Sequence, residues 1–99
     1  MVRIIIERNI LDGKLDDYHA LIRQAKNKAS NMPGFLSGEI FHVRECPNQV
    51  IVMSCWDSFD TWEVWAESEE RQDLLDEMRP LLQSDEKIMV LEASNIKKD

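Results

Sequence analysis

Three segments of this chain that are predicted to form β-strands are apolar on both of their alternating faces. In the first of them, Ile4 and Ile6 alternate with Ile5. The other two show the same pattern, with Val50 and Val52 against Ile51 and Met53, and Ile88 and Val90 against Met89 and Leu91. Successive side chains of a strand point to opposite faces of the sheet, so both faces of this sheet must be covered. This requirement limits the possible folds more than any other feature of the chain.

Turn and breaker residues divide the chain into predicted strands separated by helical regions. The strands are predicted at residues 2–10, 35–43, 49–56 and 87–94, and residues 95–99 form a polar tail. After the first strand, apolar residues recur at spacings of three and four from Leu15 to Met32. This spacing predicts an amphipathic helix, which ends at Pro33 and Gly34.

A second helical region follows the third strand. Ser58 and Ser68 are predicted to cap helices there, and Pro80 ends the apolar stripe. The segment ECPN, residues 45–48, is predicted to form the turn of an antiparallel hairpin between the second and third strands. The order β-α-β-β-α-β predicts an α+β, ferredoxin-like domain with a four-stranded antiparallel sheet, spanning residues 1–99.

The predicted helices can cover only one face of this sheet. The other apolar face would be larger than the few hundred Å² that a protein usually leaves in contact with water. We therefore predict a homodimer in which two sheets pack face to face. An aspartate in place of Val90 or Leu91 is then expected to dissociate or unfold the protein.

Composition excludes several classes of partner. The formal net charge is −7, and the lysines and arginines form no run, so nucleic acids and anionic membrane surfaces are not expected to bind. No apolar run approaches the roughly 20 residues of a membrane helix, and the N-terminus lacks the apolar segment of a signal peptide. A cytoplasmic protein is expected. Cys46 and Cys55 are too few for a disulfide framework and are predicted to be unpaired thiols.

Two motifs resemble the antibiotic biosynthesis monooxygenase domain of the dimeric α/β-barrel superfamily. They are PGFLSGEIF at residues 33–41 and VIVMSCWDSFDTWEVWAES at residues 50–68, in which Trp65 follows Trp56 by nine residues. The resemblance covers residues 2–94. It implies a dimer with a ligand pocket between the sheet and the helices of each subunit. The family includes cofactor-independent monooxygenases of phenols and quinols, haem-degrading enzymes and isomerases of small signalling molecules.

The resemblance and the residue pattern together suggest three candidate site residues. Trp65 occupies the family position that often lines the pocket, whereas Trp56 is expected mainly to fill the core. Tyr18 lies in the apolar stripe of the first helix, where its hydroxyl must find a buried partner or reach a ligand. His42 is a candidate base for a phenolic substrate, although alternation does not say which face of the sheet it takes. The preferred function, on this resemblance, is a cofactor-independent monooxygenase of a quinol or phenolic small molecule. An ionised dihydroxyaromatic can pass an electron directly to O2, so this reaction needs no cofactor.

Two other functions remain open. Haem-degrading relatives use a histidine on the second helix, an asparagine on the first strand and this tryptophan, and only the tryptophan matches here. Asn9 is expected on the opposite face from Ile6, and iron ligation would require His19 or His42 at other positions. A haem-binding protein is therefore the less favoured alternative. The third is a dimer that binds or isomerises a small metabolite, a small aromatic or other apolar molecule, without oxygen chemistry.

Overall fold

The computed structural model describes residues 1–94 of the chain. The predicted tail at 95–99 lies outside these described residues. The helices and strands are β1 (Val2–Asn9), α1 (Leu15–Ala29), β2 (Phe35–Val43), β3 (Cys46–Trp56), α2 (Phe59–Ala66), α3 (Glu69–Met78) and β4 (Lys87–Glu92). A single 3₁₀ turn, Arg79–Leu81, follows α3 and contains the proline that stops it. The predicted order of elements is confirmed, with the second helical region divided into two helices.

The strands form a four-stranded antiparallel sheet in the order β2-β3-β1-β4. Each central strand therefore has a neighbour on both sides, and β2 and β4 are the edges. The connections through α1 and through the α2–α3 pair place the helices against the sheet. This is the ferredoxin-like arrangement that the sequence predicts.

Two serine caps divide the second helical region. Ser58 accepts a hydrogen bond from the Thr61 backbone N–H at 3.3 Å, and Ser68 accepts one from the Arg71 backbone N–H at 3.2 Å. The second cap lies only two residues after α2 ends at Ala66, so the chain starts a new helix in a new direction. Both predicted caps are confirmed.

The β2–β3 hairpin differs from the prediction. The turn is formed by Arg44 and Glu45, and Cys46 already pairs with Val43, so β3 begins three residues earlier than predicted. The pairing register shifts between His42 and Val43. Pro47 is tolerated in this irregular end of β3 because β1 stops pairing at the Asn9–Gln49 position and needs no N–H there.

The two faces of the sheet are set by the pairing register. Val2, Ile4, Ile6 and Arg8 of β1 are buried under the helices, and Ile5 points the other way. We call that other side the outer face; its apolar members are Ile5, Phe41, Ile51, Met53, Cys55, Met89 and Leu91. Met89 is 59% exposed in the single chain. The described chain thus leaves the outer face uncovered, as the two-sided apolar strands predict.

The space between the helices and the sheet is filled by two apolar clusters. The tryptophan cluster consists of Val2, Ile4, Ile6, Ala29, Trp56, Trp62 and Trp65. The tyrosine cluster consists of Ile10, Tyr18, Ile22, Val50, Leu74, Leu75 and Met78. The clusters lie at opposite ends of the helix-covered face, and the candidate site lies between them.

Two glycines with positive φ provide a matched test of this packing. Gly34, at φ 89°, lies so close to the start of α2 that an added Cβ would be 2.5 Å from Thr61 Cβ and 2.6 Å from Asp57 Oδ1. Gly13, at φ 81°, has no atom within 4 Å of such a Cβ. Gly13→Ala should lower the free energy of unfolding by about 1 kcal/mol, from backbone strain alone. Gly34→Ala should lower it by about 2–4 kcal/mol in urea unfolding, because the steric clash is added. Equal losses in the two variants would contradict the close approach of Gly34 to α2.

Candidate functional site

A narrow cavity lies between the three helices and the helix-facing side of the sheet. Its free volume is about 60 Å³, which is room for several water molecules. Both apolar clusters contribute to its wall. The apolar lining residues are Ile6, Ile22, Ala25, Ala29, Phe35, Ile40, Val52, Trp56, Trp62, Trp65, Leu75 and Met78.

One end of the cavity is aromatic. Trp56, Trp62 and Trp65 all lie there and are almost completely buried. The Phe35 ring meets Trp56 edge to face, with ring centroids 5.3 Å apart. The absence of a side chain at Gly38 makes room for Phe35, since an added Cβ would lie 3.2 Å from the Phe35 ring. Flat rigid walls of this kind orient a planar ligand.

A single hydroxyl interrupts the aromatic end. Ser54 lies on the helix-facing side of β3 and lines the cavity. Its Oγ accepts a hydrogen bond from Trp56 Nε1 at 3.1 Å. The Ser54 hydroxyl proton can therefore be donated to a ligand in the cavity.

The other end of the cavity carries two buried arginines. Arg8 from β1 is 3% exposed and Arg71 from α3 is 7% exposed. The Arg8 guanidinium holds Glu86 Oε1 through Nε at 3.1 Å and Nη2 at 2.7 Å, and its Nη1 donates to Tyr18 Oη at 2.9 Å. Arg71 Nη2 reaches the second oxygen, Glu86 Oε2, at 3.4 Å. We call these four residues the arginine network.

Burial changes the protonation equilibria of the network. Burial raises the pKa of Tyr18, and the neighbouring Arg8 cation acts in the opposite direction without cancelling it. Burial lowers the pKa of Arg71, which Glu86 opposes and Arg8 reinforces. Both arginines nonetheless stay charged at neutral pH, because guanidinium is too strong a base to lose its proton there.

The structure brings only one of the predicted site residues to the cavity wall. Trp65 lines the cavity. Tyr18 is fully buried behind Arg8, and its hydroxyl has found the buried partner that the sequence requires. His42 takes the helix-facing side of β2 but lies outside the cavity, exposed, with its ring centroid 6.0 Å from that of His19. The catalytic and binding roles of these residues remain predictions.

Sequence reasoning did not identify the arginine network. Only the position of Arg8 could have indicated the network. Arg8 is two residues after Ile6 and so lies on the same buried face of β1 as Ile4 and Ile6, where a charged residue is unusual. Its partner Glu86 lies 78 residues further along the chain, so only the fold brings them together. Arg71 lies among acidic residues in α3, and this pattern is typical of a solvent-exposed helix position.

The described residues contain neither a candidate metal site nor a membrane-spanning helix. Within residues 1–94 no group of three or more His, Cys, Asp and Glu side chains could hold a metal ion, and no helix could span a membrane. Both cysteines are free thiols. Neither His19 nor His42 is among the residues that line the cavity in this part of the chain. Asn9 lies on the face opposite Ile6, as predicted, and hence not in the cavity.

Comparison with known proteins gives a family match. Residues 1–77 match the model of the family described as antibiotic biosynthesis monooxygenase. Protein SchA of Streptomyces halstedii is 25% identical over 79 residues, which make up 80% of this chain and 21% of SchA. The chain thus spans about a fifth of the length of this curated relative.

Solved structures share the fold over nearly the whole chain. A crystal structure of an antibiotic biosynthesis monooxygenase has a TM-score of 0.87 at 17% identity, covering 95% of this chain and 99% of that one. A variant of SnoaB, a cofactor-independent oxygenase from Streptomyces nogalater, has a TM-score of 0.84 at 11% identity, with 99% and 97% covered. A conserved protein from Methanosarcina mazei Go1 gives 0.89 at 11% identity, with 94% and 92% covered. At these identities the likeness establishes the fold.

Tyr18 is the only tyrosine of the chain, so its ionisation can be observed directly. Its pKa is raised by burial, and the native protein should show tyrosinate absorbance only above the usual value of about 10. Because the pKa of Tyr18 is higher in the folded state than in the unfolded state, ionisation favours unfolding. The contribution of the neutral Tyr18 hydroxyl to stability is complete below about pH 10 and is lost as pH rises through the folded pKa. Alkaline unfolding followed by circular dichroism should therefore accompany the absorbance change. Titration of folded protein at or below the usual value would contradict the burial of this hydroxyl.

Proposed function

The chain belongs to the antibiotic biosynthesis monooxygenase family, and on this premise we propose that it is a cofactor-independent monooxygenase of a quinol or similar phenol. The substrate binds between the sheet and the helices. The observation that carries this proposal is the narrow cavity with aromatic walls at one end and buried cations at the other. Residues 1–99 constitute one such domain.

The proposed reaction balances without a redox cofactor. A quinol and O2 give a hydroxyquinone and water, so one oxygen atom enters the ring and the other leaves as water. The substrate itself supplies all the electrons. Ionisation of a phenolic hydroxyl comes first, because the phenolate is a better electron donor than the phenol. The protein then contributes a base, stabilisation of the anion, and a cavity that excludes bulk water.

The roles of the side chains follow from their places around the cavity. Trp65 and Trp62 orient the ring, and their burial keeps the reacting carbon away from water. Tyr18 acts through Arg8, whose guanidinium it holds at 2.9 Å. His42 stands outside the cavity beside His19 and accepts the phenolic proton as the substrate enters.

The size of the cavity limits the substrate. About 60 Å³ of free volume is less than the roughly 150 Å³ of a cavity that holds benzene, so even a single ring requires side-chain movement. The long Lys26 side chain lines the cavity and is exposed, so it can move at little cost to the core. A single-ring quinol is therefore the preferred substrate class over a polycyclic one.

The outer face binds the same face of a second copy. Apolar side chains from all four strands lie on it, and a surface of this composition is not usually left in water. An isologous pair of sheets covers both copies at once and leaves each cavity on the outside of the sandwich, under its own helices.

Oxygen uptake with a panel of single-ring quinols tests the proposed reaction. We expect consumption above the spontaneous rate over about pH 6–9, accelerated by the protein in proportion to its concentration. Trp65→Phe keeps an aromatic residue in the core but alters the wall, and should lower kcat/KM by about tenfold. Uptake equal to the spontaneous rate for every quinol would contradict the reaction.

The neighbouring histidines provide a matched pair in the same assay. His42→Gln should reduce the rate at neutral pH by about a hundredfold if this ring is the base, whereas His19→Gln should leave it nearly unchanged. Equal effects of the two substitutions would remove His42 from the mechanism without affecting the rest of the proposal.

An aspartate on the outer face tests the dimer. Met89 and Val64 are both exposed apolar residues, at 59% and 63%, but Met89 lies on the outer face and Val64 on α2. Sedimentation at low micromolar concentration should give a dimer for the unmodified protein and for Val64→Asp, and a folded monomer for Met89→Asp. A monomeric unmodified protein would contradict the proposed sheet pairing.

A further inference from the structure

One buried guanidinium has most of its donors directed at no protein acceptor. Arg71 is 7% exposed, and Nη2 makes a single long contact of 3.4 Å with Glu86. Within the described residues its Nε and Nη1 donate to nothing. Arg8 is different, because three of its N–H groups are held by Glu86 and Tyr18 at 2.7–3.1 Å. No fully buried side-chain nitrogen among the described residues lacks a partner, so the unpaired nitrogens of Arg71 are accessible. Arg71 lines the cavity, where an anionic oxygen of a ligand can accept from them.

The charges that face the cavity are also unbalanced. Arg8 and Arg71 both line it, whereas their shared partner Glu86 does not. Two guanidiniums and one carboxylate leave the arginine network with an excess of one positive charge, on side chains that are at most 18% exposed. The Lys26 ammonium group adds a further positive charge to the cavity lining. The one acid among the lining residues, Glu39, pairs with Met53 on the outer face, so strand alternation directs its side chain away.

We infer that the arginine end of the cavity binds an ionised oxygen of the ligand, a phenolate or a carboxylate, with Arg71 as the residue that holds it. The inference rests on the proposed function, since it assigns the acidic group of the substrate to the same cavity. The aromatic end takes the apolar ring, and Ser54 offers a second hydrogen-bond donor along the way. The guanidinium of Arg8 is held in place by Glu86 and Tyr18. It attracts the anion through its positive charge, whereas Arg71 makes the direct hydrogen bonds.

The free donors of Arg71 have a consequence for chemistry. A guanidinium stabilises the ionised form of a bound phenol over the neutral form, and it does so more strongly in a closed cavity than in water. Binding therefore shifts the acid dissociation of the ligand towards the phenolate. This is the form that reduces O2 in the proposed reaction, so Arg71 would select the reactive state of the substrate.

Binding of single-ring nitroaromatic probes tests this inference without turnover. 4-Nitrophenol reports its own ionisation, because the phenolate absorbs visible light and the phenol does not. The protein should bind 4-nitrophenolate, and the midpoint of its titration should move to lower pH on binding. 4-Nitrobenzoate tests the carboxylate, and nitrobenzene serves as the neutral analogue. We expect at least one anion to bind about tenfold more tightly than nitrobenzene.

Substitution of Arg71 locates the effect. Arg71→Met preserves an unbranched apolar stem and should weaken binding of the anion by about tenfold while leaving nitrobenzene within about twofold. Arg71→Lys keeps the charge and should recover part of the loss. Arg79→Met is the matched control, since Arg79 is an exposed arginine that pairs with Asp76 and lies outside this cavity. This control removes the same charge and should change nothing.

Each outcome decides the inference. Equal binding of anionic and neutral probes by the unmodified protein overturns it, and this comparison holds even if Arg71→Met does not fold. A loss with Arg79→Met equal to that with Arg71→Met also overturns it. Anion selectivity without oxygen uptake from any quinol would leave the inference standing and remove the proposed reaction. If Arg71→Met does not change oxygen uptake and the protein shows no anion selectivity, the proposed reaction stands and the inference about Arg71 is overturned.

Discussion

The structure depends on one constraint, a four-stranded sheet whose helices cover a single face. On the covered side, β1 supplies Val2, Ile4 and Ile6 to the core and Arg8 next to its last residue, so the buried face changes from apolar to charged along one strand. The residues that pack against β1 change in the same way along its length. The tryptophans of β3 and α2 pack against the apolar part, and Glu86 with Arg71 assembles around the charged part. The cavity lies where the two kinds of packing meet.

The same constraint explains why the helices do not complete the fold. Ile88 and Val90 of β4 face the helical side, yet they remain more than one-third exposed, at 42% and 37%. The outer face is apolar as well. An edge strand that is apolar and only partly covered on both sides is a liability in an isolated chain. Association through the sheet would relieve the exposure on the outer side and leave that on the helical side unchanged.

The sequence predicted what depends on local pattern and missed what depends on distant pairing. Alternation, helical spacing and the caps Ser58 and Ser68 are local signals, and they gave the order of elements and most boundaries. The turn was misplaced because Pro47 is normally a turn residue, and only the early end of β1 pairing makes room for it in β3. The arginine network could not be inferred, since its carboxylate comes from the loop before β4 and its second arginine from α3.

The three tryptophans have different functions despite their proximity in sequence. Trp56 anchors the end of β3, hydrogen bonds to Ser54 and supports Phe35, which makes it mainly structural. Trp62 and Trp65 come from the helix and complete the far wall. A flat apolar wall alone would accept any planar molecule of suitable size. On the inference drawn above, the cations at the opposite end would supply the discrimination that the wall lacks. An anion there neutralises excess charge, whereas a neutral ring offers the Arg71 donors no acceptor. In the proposed site, selectivity would therefore come from the fixed positive charge more than from shape.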